Sequence, residues 1–293
     1  MLDRAAIIQT LSAAVHADPD VRAAWLGGSD ANGRADERSD VDLFLVVRPG
    51  SVDAVAERLE TGLAALSPIR LRLRLPHPTW HGFPQAFLQL RDAPPDLMVD
   101  WLMIEEGTPH PWLEEDRHGR PVVLVDRAGL VTPAAPDLAA RAAARARRRE
   151  ELRVRFELFS HLAPKQAGRG LPVDGQLFWQ GMVLRPLVDA LRLLHCPERY
   201  DYGLRYLRDD LPADAYREVC ALAYPPDVDA LPAMTARAAA LFEGAMRALD
   251  AATPVRAAPP VEGPRAAAPG PAPSAAGSPG RSPAPPRGRP ETR

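Results

Sequence analysis

Lysine, cysteine and aromatic residues are scarce in this sequence, and neither sign of charge is in excess. Lys165 is the only lysine among 36 Lys and Arg residues. Any phosphate-binding cation is therefore expected to be arginine, whose planar fork matches phosphate oxygens in pairs. The two cysteines, Cys196 and Cys220, form neither a disulfide framework nor a zinc signature. Both read as small apolar residues in helical segments. The 38 acids nearly balance the bases, leaving a net charge of −2 and a pI near 6.4. That balance argues against a protein that coats nucleic acid. No apolar run approaches the roughly 20 residues of a membrane span. The opening MLDRAAIIQTLSAAVHADPD has helically spaced apolar residues interrupted by acids, unlike a signal peptide. A cytoplasmic protein with no membrane partner and no nucleic-acid partner is expected.

What is present divides the chain in three. Of its 293 residues 46% are hydrophobic, enough for one large domain or two modest ones. Helical spacing of Leu2, Ile7, Ile8, Leu11 and Val15 predicts a first helix over 2–17. Strands are expected at 21–26, 41–47, 69–75, 86–92, 96–104 and 120–129, with the fourth and fifth forming a hairpin around Ala-Pro-Pro. A helix over 51–66 is expected to be capped by Ser51. The strand IRLRLRL alternates apolar residues with Arg70, Arg72 and Arg74, which predicts one wet face and makes one of these arginines a candidate nucleotide contact. After Pro136 the pattern turns helical. Long helices are expected over 138–163 and 176–196, the second with a kink or boundary at Pro186, and shorter ones over 203–210, 212–223 and 230–250. From Thr253 to Arg293 the chain is almost all Pro, Ala, Gly, Ser and Arg, a composition that cannot offset its own ordering entropy. The fold class expected is α+β, a mixed sheet flanked by helices. The expected domains are 1–133 (mixed α/β), 134–252 (helical) and 253–293 (a disordered tail).

The stretch WLGGSDANGRADERSDVDLFLVV, residues 25–47, concentrates the chemistry. Asp40 and Asp42 stand at the mouth of an apolar strand. Residues i and i+2 of a strand share a face, roughly 6.5–7 Å apart at the backbone, so the two carboxylates project together and repel unless a cation joins them. A hard divalent ion with oxygen ligands suits them, Mg²⁺ being the common one that keeps phosphates among its ligands. Gly27 and Gly28 permit a sharp turn and close approach of a ligand. Free N–H groups in such a turn, together with the Ser29 hydroxyl, would cradle an anion.

The order strand, Gly-Gly-Ser, spacer, Asp-Val-Asp, strand resembles the signature of the DNA polymerase beta-like nucleotidyltransferase superfamily. The residues that carry it are Leu26, Gly27–Gly28–Ser29 and Asp40–Val41–Asp42–Leu43. The resemblance implies a third carboxylate on a later strand. Asp100 is the candidate because it interrupts the buried run LMVDWLMI, where an unpaired acid is expensive; its role as metal ligand or general base stays open. Two Mg²⁺ ions and ATP or another nucleoside triphosphate are implied as cofactor and co-substrate. The implied reaction moves a nucleoside monophosphate, AMP if the donor is ATP, to an acceptor hydroxyl with release of pyrophosphate.

The segment CPERYDYGLRYLRDDLP, through Arg199, Tyr200, Gly203, Arg205, Tyr206 and Leu207, looks like the helical region of bacterial aminoglycoside and lincosamide nucleotidyltransferases. The resemblance implies that 1–133 is the catalytic domain and 134–252 binds the acceptor, a small molecule; an aminoglycoside polycation would want an acidic cleft, for which Glu105, Glu106, Glu114, Glu115 and Asp116 are candidates. Arg141, Arg145, Arg148 and Arg149 read as a solvated helical face, with a triphosphate- or RNA-facing stripe as the rival. Trp80, in HPTWHGFPQ, reads as a loop-packing residue with base stacking as the rival. The alternatives kept for the function are a protein or tRNA acceptor and a non-catalytic nucleotide-binding homologue.

Overall fold

A computed structural model describes residues 2–252; the expected disordered tail at 253–293 lies outside the described residues. Helix α1 (Arg4–Ala17) buries Ile7, Leu11 and Val15 along one stripe, and Asp3 caps it by accepting from the Ala6 N–H at 2.8 Å. Strand β1 (Val21–Leu26) follows. A single helical turn, α2 (Gly28–Ala31), leads into the 32–40 loop and strand β2 (Val41–Val47). Helix α3 (Val52–Leu66) comes next, then β3 (Ile69–Arg74), β4 (Gln85–Leu90) and β5 (Val99–Glu105). The one-turn helix α4 (Glu115–His118) precedes the last strand, β6 (Val122–Asp126). Ser51 stands at the start of α3 but does not cap it by its side chain. Its hydroxyl turns back to donate to the Arg48 carbonyl at 2.7 Å.

The six strands form one mixed sheet in the order β3-β4-β5-β2-β1-β6. Only β2 and β5 run parallel; the other pairs are antiparallel, including the expected β4–β5 hairpin. One face packs under α1 and α3, burying Leu43, Leu45, Leu88 and Trp101 against Leu11, Leu59 and Leu63. The opposite face carries Trp25, Val46, Leu102 and Ile104, covered by Leu113, Trp112, Leu130 and Val131 from the loops around α4 and β6. This cover does not extend to β3. There the alternation is the reverse of what was expected. Arg72 and Arg74 point to the helical face and ion-pair with Glu60 and Asp53 of α3, while Leu71 and Leu73 lie on the other face, 56% and 57% exposed. Arg72 and Arg74 are thus turned away from the carboxylate side of the sheet, while Arg70 donates to Gln89.

The remaining helices are α5 (Leu138–Phe159), α6 (Leu162–Ala167), α7 (Pro172–Phe178), α8 (Arg185–His195), α9 (Leu207–Asp210), α10 (Ala213–Ala223) and α11 (Leu231–Ala252). Their own core joins Leu152, Trp179, Val183, Leu187 and Ala238, with Phe156 and Phe242 stacked at a 4.0 Å centroid distance. Pro186 marks the expected boundary through its missing N–H. The chain just before it, Trp179–Leu184, widens into a π-helical stretch that accommodates the ring in the preceding turn. Residues 203–206 are not helical. Gly203 and Tyr206 both have positive φ, 69° and 59°, so α9 starts only at Leu207. The described residues, 2–252, belong to one compact unit, and the sheet's cores and the helical core lie on opposite sides of the link between β6 and α5 in sequence. Among the described residues no helix is long and apolar enough to cross a membrane.

Candidate active site

The parallel pairing of β2 with β5 brings the three carboxylates together. Asp42 and Asp100 are register partners, and Asp40 precedes them by one pleat on the same face. Asp40 accepts from the Met98 N–H at 3.0 Å, which joins the two strands at their entrance. Burial pushes the pKa of all three carboxyls up. Asp40 is eased back by the Met98 N–H and by the positive charges of Arg205 and Arg4. Asp42 is raised further by Asp40. Asp100 reaches about 7, from burial first, with the Gln85 hydrogen bond opposing and the Asp42 charge adding.

The glycine turn lies against these acids and is shaped by them. Gly28 has φ of 52°, a conformation that disfavours every L side chain, and a Cβ there would sit 1.8 Å from Asp42 Oδ2. Its neighbour has a different task. The Gly27 N–H already donates to the Asp42 carbonyl at 2.9 Å, and a Gly27 Cβ would meet the Phe44 ring at 2.4 Å. Gly27 therefore offers no free N–H to an anion, and only Gly28 and Ser29 remain of the expected nest. The Ser29 hydroxyl oxygen is buried and has no hydrogen-bond partner.

The spacer between glycines and aspartates is held by Arg4 of α1. Arg4 ion-pairs with Asp30, donates through Nε to the Ser39 carbonyl at 2.9 Å, and through Nη2 to the Asp40 carbonyl at 3.1 Å. One side chain thereby ties both ends of the spacer.

Asp100 is held from the other side. The Gln85 amide donates to its Oδ1 and Oδ2 at 2.8 and 2.9 Å. Gln85 Oε1 lies 2.8 Å from His81 Nε2. His81 Nδ1 accepts from the Phe83 N–H at 3.2 Å, so the ring proton sits on Nε2 and is donated to Gln85. Nothing in the sequence marks this chain, because His81 and Gln85 look like ordinary loop and strand residues.

The helical part contributes a cation. Arg205 is exposed, and its charge lowers the pKa of Asp40, Asp42 and Asp100 alike. Its carbonyl accepts from the fully buried Arg192, whose Nη1 pairs with the buried Asp210 at 2.6 Å. Asp210 also pairs with Arg199. The next residue, Tyr206, carries Arg34 of the spacer over its ring at 5.4 Å, and Arg34 ion-pairs with Asp209 at 3.2 Å. A second link joins Arg117 to Asp201 at 3.0 Å, while the Tyr202 hydroxyl donates to the Arg117 carbonyl at 2.6 Å.

Four of the five acids expected to line an acceptor cleft are engaged by other partners. Glu114 and Asp116 are ion-paired by Arg141, Glu106 by Arg22 at 3.1 Å, and Glu105 accepts from the Gly50 N–H at 2.7 Å. Arg148 and Arg149 are likewise engaged, with Asp189 at 2.7 Å and Asp250 at 3.4 Å, so they form neither a bare solvated face nor a phosphate stripe.

Among the described residues, no three acid, histidine or cysteine side chains converge as a ready metal cage. Two of the carboxylates are turned in part to internal partners, Asp40 to the Met98 N–H and Asp100 to Gln85, while the Asp42 carboxylate occupies the space a Gly28 side chain would need. The donor set itself suits a hard divalent cation, because it is all oxygen, sits on rigid strands, and concentrates like charges that a cation would relieve.

No protein-family model matches this sequence, and no curated protein matches it. Among solved structures, an aminoglycoside 6-adenyltransferase from Bacillus subtilis is similar over 83% of this chain and 89% of its own, with a TM-score of 0.36 and 12% sequence identity.

Proposed function

We propose that the protein is a Mg²⁺-dependent nucleotidyltransferase that moves a nucleoside monophosphate, AMP from ATP in the leading case, to a hydroxyl of a small molecule. The observation that carries the reading is the register pairing of Asp42 with Asp100, with Asp40 one pleat away and Gly28 against the Asp42 carboxylate. Asp40 and Asp42 would hold the cation, with Asp100 completing the site. Bound Mg²⁺ supplies charge neutralisation on phosphate oxygens as the transfer proceeds. The Gly28 and Ser29 backbone and the unpartnered Ser29 hydroxyl would hold the triphosphate. Arg205 would meet it from the helical side. The acceptor oxygen attacks the α-phosphorus and forms the new O–P bond. The bond from that phosphorus to the α–β bridging oxygen breaks, and pyrophosphate leaves. Asp100, in register with Asp42 and oriented by Gln85, would also take the hydroxyl proton.

Pyrophosphate release, measured with ATP and a panel of hydroxylated small molecules, tests this directly. Asp40→Ala and Asp42→Ala are each expected to lower the rate by about 10²-fold or more, since several kcal/mol of charge stabilisation is removed, with unchanged circular dichroism. Full activity in either variant sinks the assignment.

A further inference from the structure

The sheet face that bears the carboxylates continues uncovered past Asp100. In register, Asp100 faces Phe87 of β4, and Phe87 faces Leu73 of β3. Two strand spacings put Leu73 roughly 10 Å from Asp100. Leu71 and Leu73 are 56% and 57% exposed on this face, and Trp80, in the loop that joins β3 to β4, is 89% exposed. Trp80 rests edge-on against His81 at 4.9 Å, and His81 reaches Asp100 through Gln85. The arrangement is unusual for an edge strand. A one-residue slip of β3 would bury the leucines and free the arginines to water. The ion pairs of Arg72 with Glu60 and Arg74 with Asp53 hold the opposite register and keep an apolar surface in water beside the reactive carboxylate. The acids of α3 and of the α4 turn are not offered to this surface. Glu60 and Asp53 lie on the far face, and Glu114 and Asp116 are held by Arg141.

We propose that this shelf, made by Trp80, Phe87, Leu73 and Leu71, binds the acceptor, and that the acceptor is a hydroxylated molecule with an apolar ring face, aryl or glycosyl, and not a polycation. The proposal rests on the nucleotidyltransferase reading. Ring faces stack on an exposed tryptophan and on leucine side chains. The few polar groups at the shelf's inner edge, Gln85 and Asp100, would then fix the reacting hydroxyl.

Quenching of tryptophan emission tests the shelf, with Trp80→Phe as the control that isolates the exposed ring. The probes are neutral p-nitrophenyl glycosides and, as the polycation, neomycin. The nitrophenyl glycosides are expected to quench saturably in wild type and not in Trp80→Phe, and to saturate at least tenfold below neomycin. Leu73→Glu and Leu71→Ser are expected to raise the half-saturating glycoside concentration at least fivefold while the calorimetric affinity for ATP with Mg²⁺ stays within twofold. The proposal is overturned if no glycoside quenches, if neomycin saturates first, or if wild type sediments as a dimer that Leu73→Glu splits without any glycoside binding. Failure of wild type to bind ATP with Mg²⁺ counts against the nucleotidyltransferase reading alone, because glycoside quenching is read without nucleotide.

Discussion

Gly27 and Gly28 are adjacent and chemically identical, yet the structure gives them different work. A Gly28 methyl would occupy the Asp42 carboxylate's place in a backbone conformation that L residues resist, whereas a Gly27 methyl would press on the Phe44 ring. Gly28→Ala is therefore expected to cut pyrophosphate release by about 10²-fold, and Gly27→Ala to act mainly on stability, by about 1–3 kcal/mol of overpacking. Melting temperatures and rates measured on both variants check this; equal rate losses would contradict it. Asp100 has a distinct signature in the metal-free protein. Its pKa lies near 7 in the fold and near 3.8 in the unfolded chain. Between those values the folded state keeps a proton that the unfolded state has released, so this group's contribution to stability falls as pH rises through the window. Asp100→Asn is expected to raise the metal-free melting temperature at pH 8 by at least about 3 °C, with the gain vanishing toward pH 4. A pH-independent difference would contradict the burial argument. The acids themselves were legible in the sequence, since an Asp inside an apolar run stands out. Arg4 and Gln85 were not, because their partners lie far away in sequence and leave no periodic trace; Arg205 stood out within its segment, but its place beside the acids did not.

At the scale of elements, strands were legible because a two-residue period and branched residues mark them. The first two strands, β1 and β2, have the expected bounds. Strand β3 shows where that reading fails. Its alternation was plain, but which face turns to the helices was decided by Glu60 and Asp53 on α3, a tertiary choice that hydropathy alone does not encode. The helix through Pro186 was legible as interrupted, while the form of the interruption depended on packing of Trp179 and Val183 into the helical core. The β3–β4 connection carries a testable role. Gln85 keeps Asp100 oriented, and His81 keeps Gln85 oriented. Gln85→Leu is expected to lower turnover by about 10–100-fold, as for other partners that orient a reactive carboxylate, with little change in nucleotide KM. Unchanged turnover would show that Asp100 needs no such support.

At the scale of the molecule, the sheet supplies the carboxylates and the helical part supplies Arg205. The buried Arg192–Asp210 pair fixes the loop that carries it. Truncating either partner of such a pair leaves an uncompensated buried charge, so the loop's geometry is a property of the folded whole and not of a local motif. The same loop meets the spacer through Arg34 and Tyr206, which gives that polar segment a structural purpose its composition did not reveal. The central claim is that a cation on Asp40 and Asp42 joins the triphosphate to this frame. Calorimetric titration of ATP into the protein, with and without Mg²⁺, tests it most directly. The account predicts binding that requires Mg²⁺ and weakens at least tenfold in Asp42→Asn. ATP affinity that is equal with and without Mg²⁺, and equal in Asp42→Asn, would contradict it.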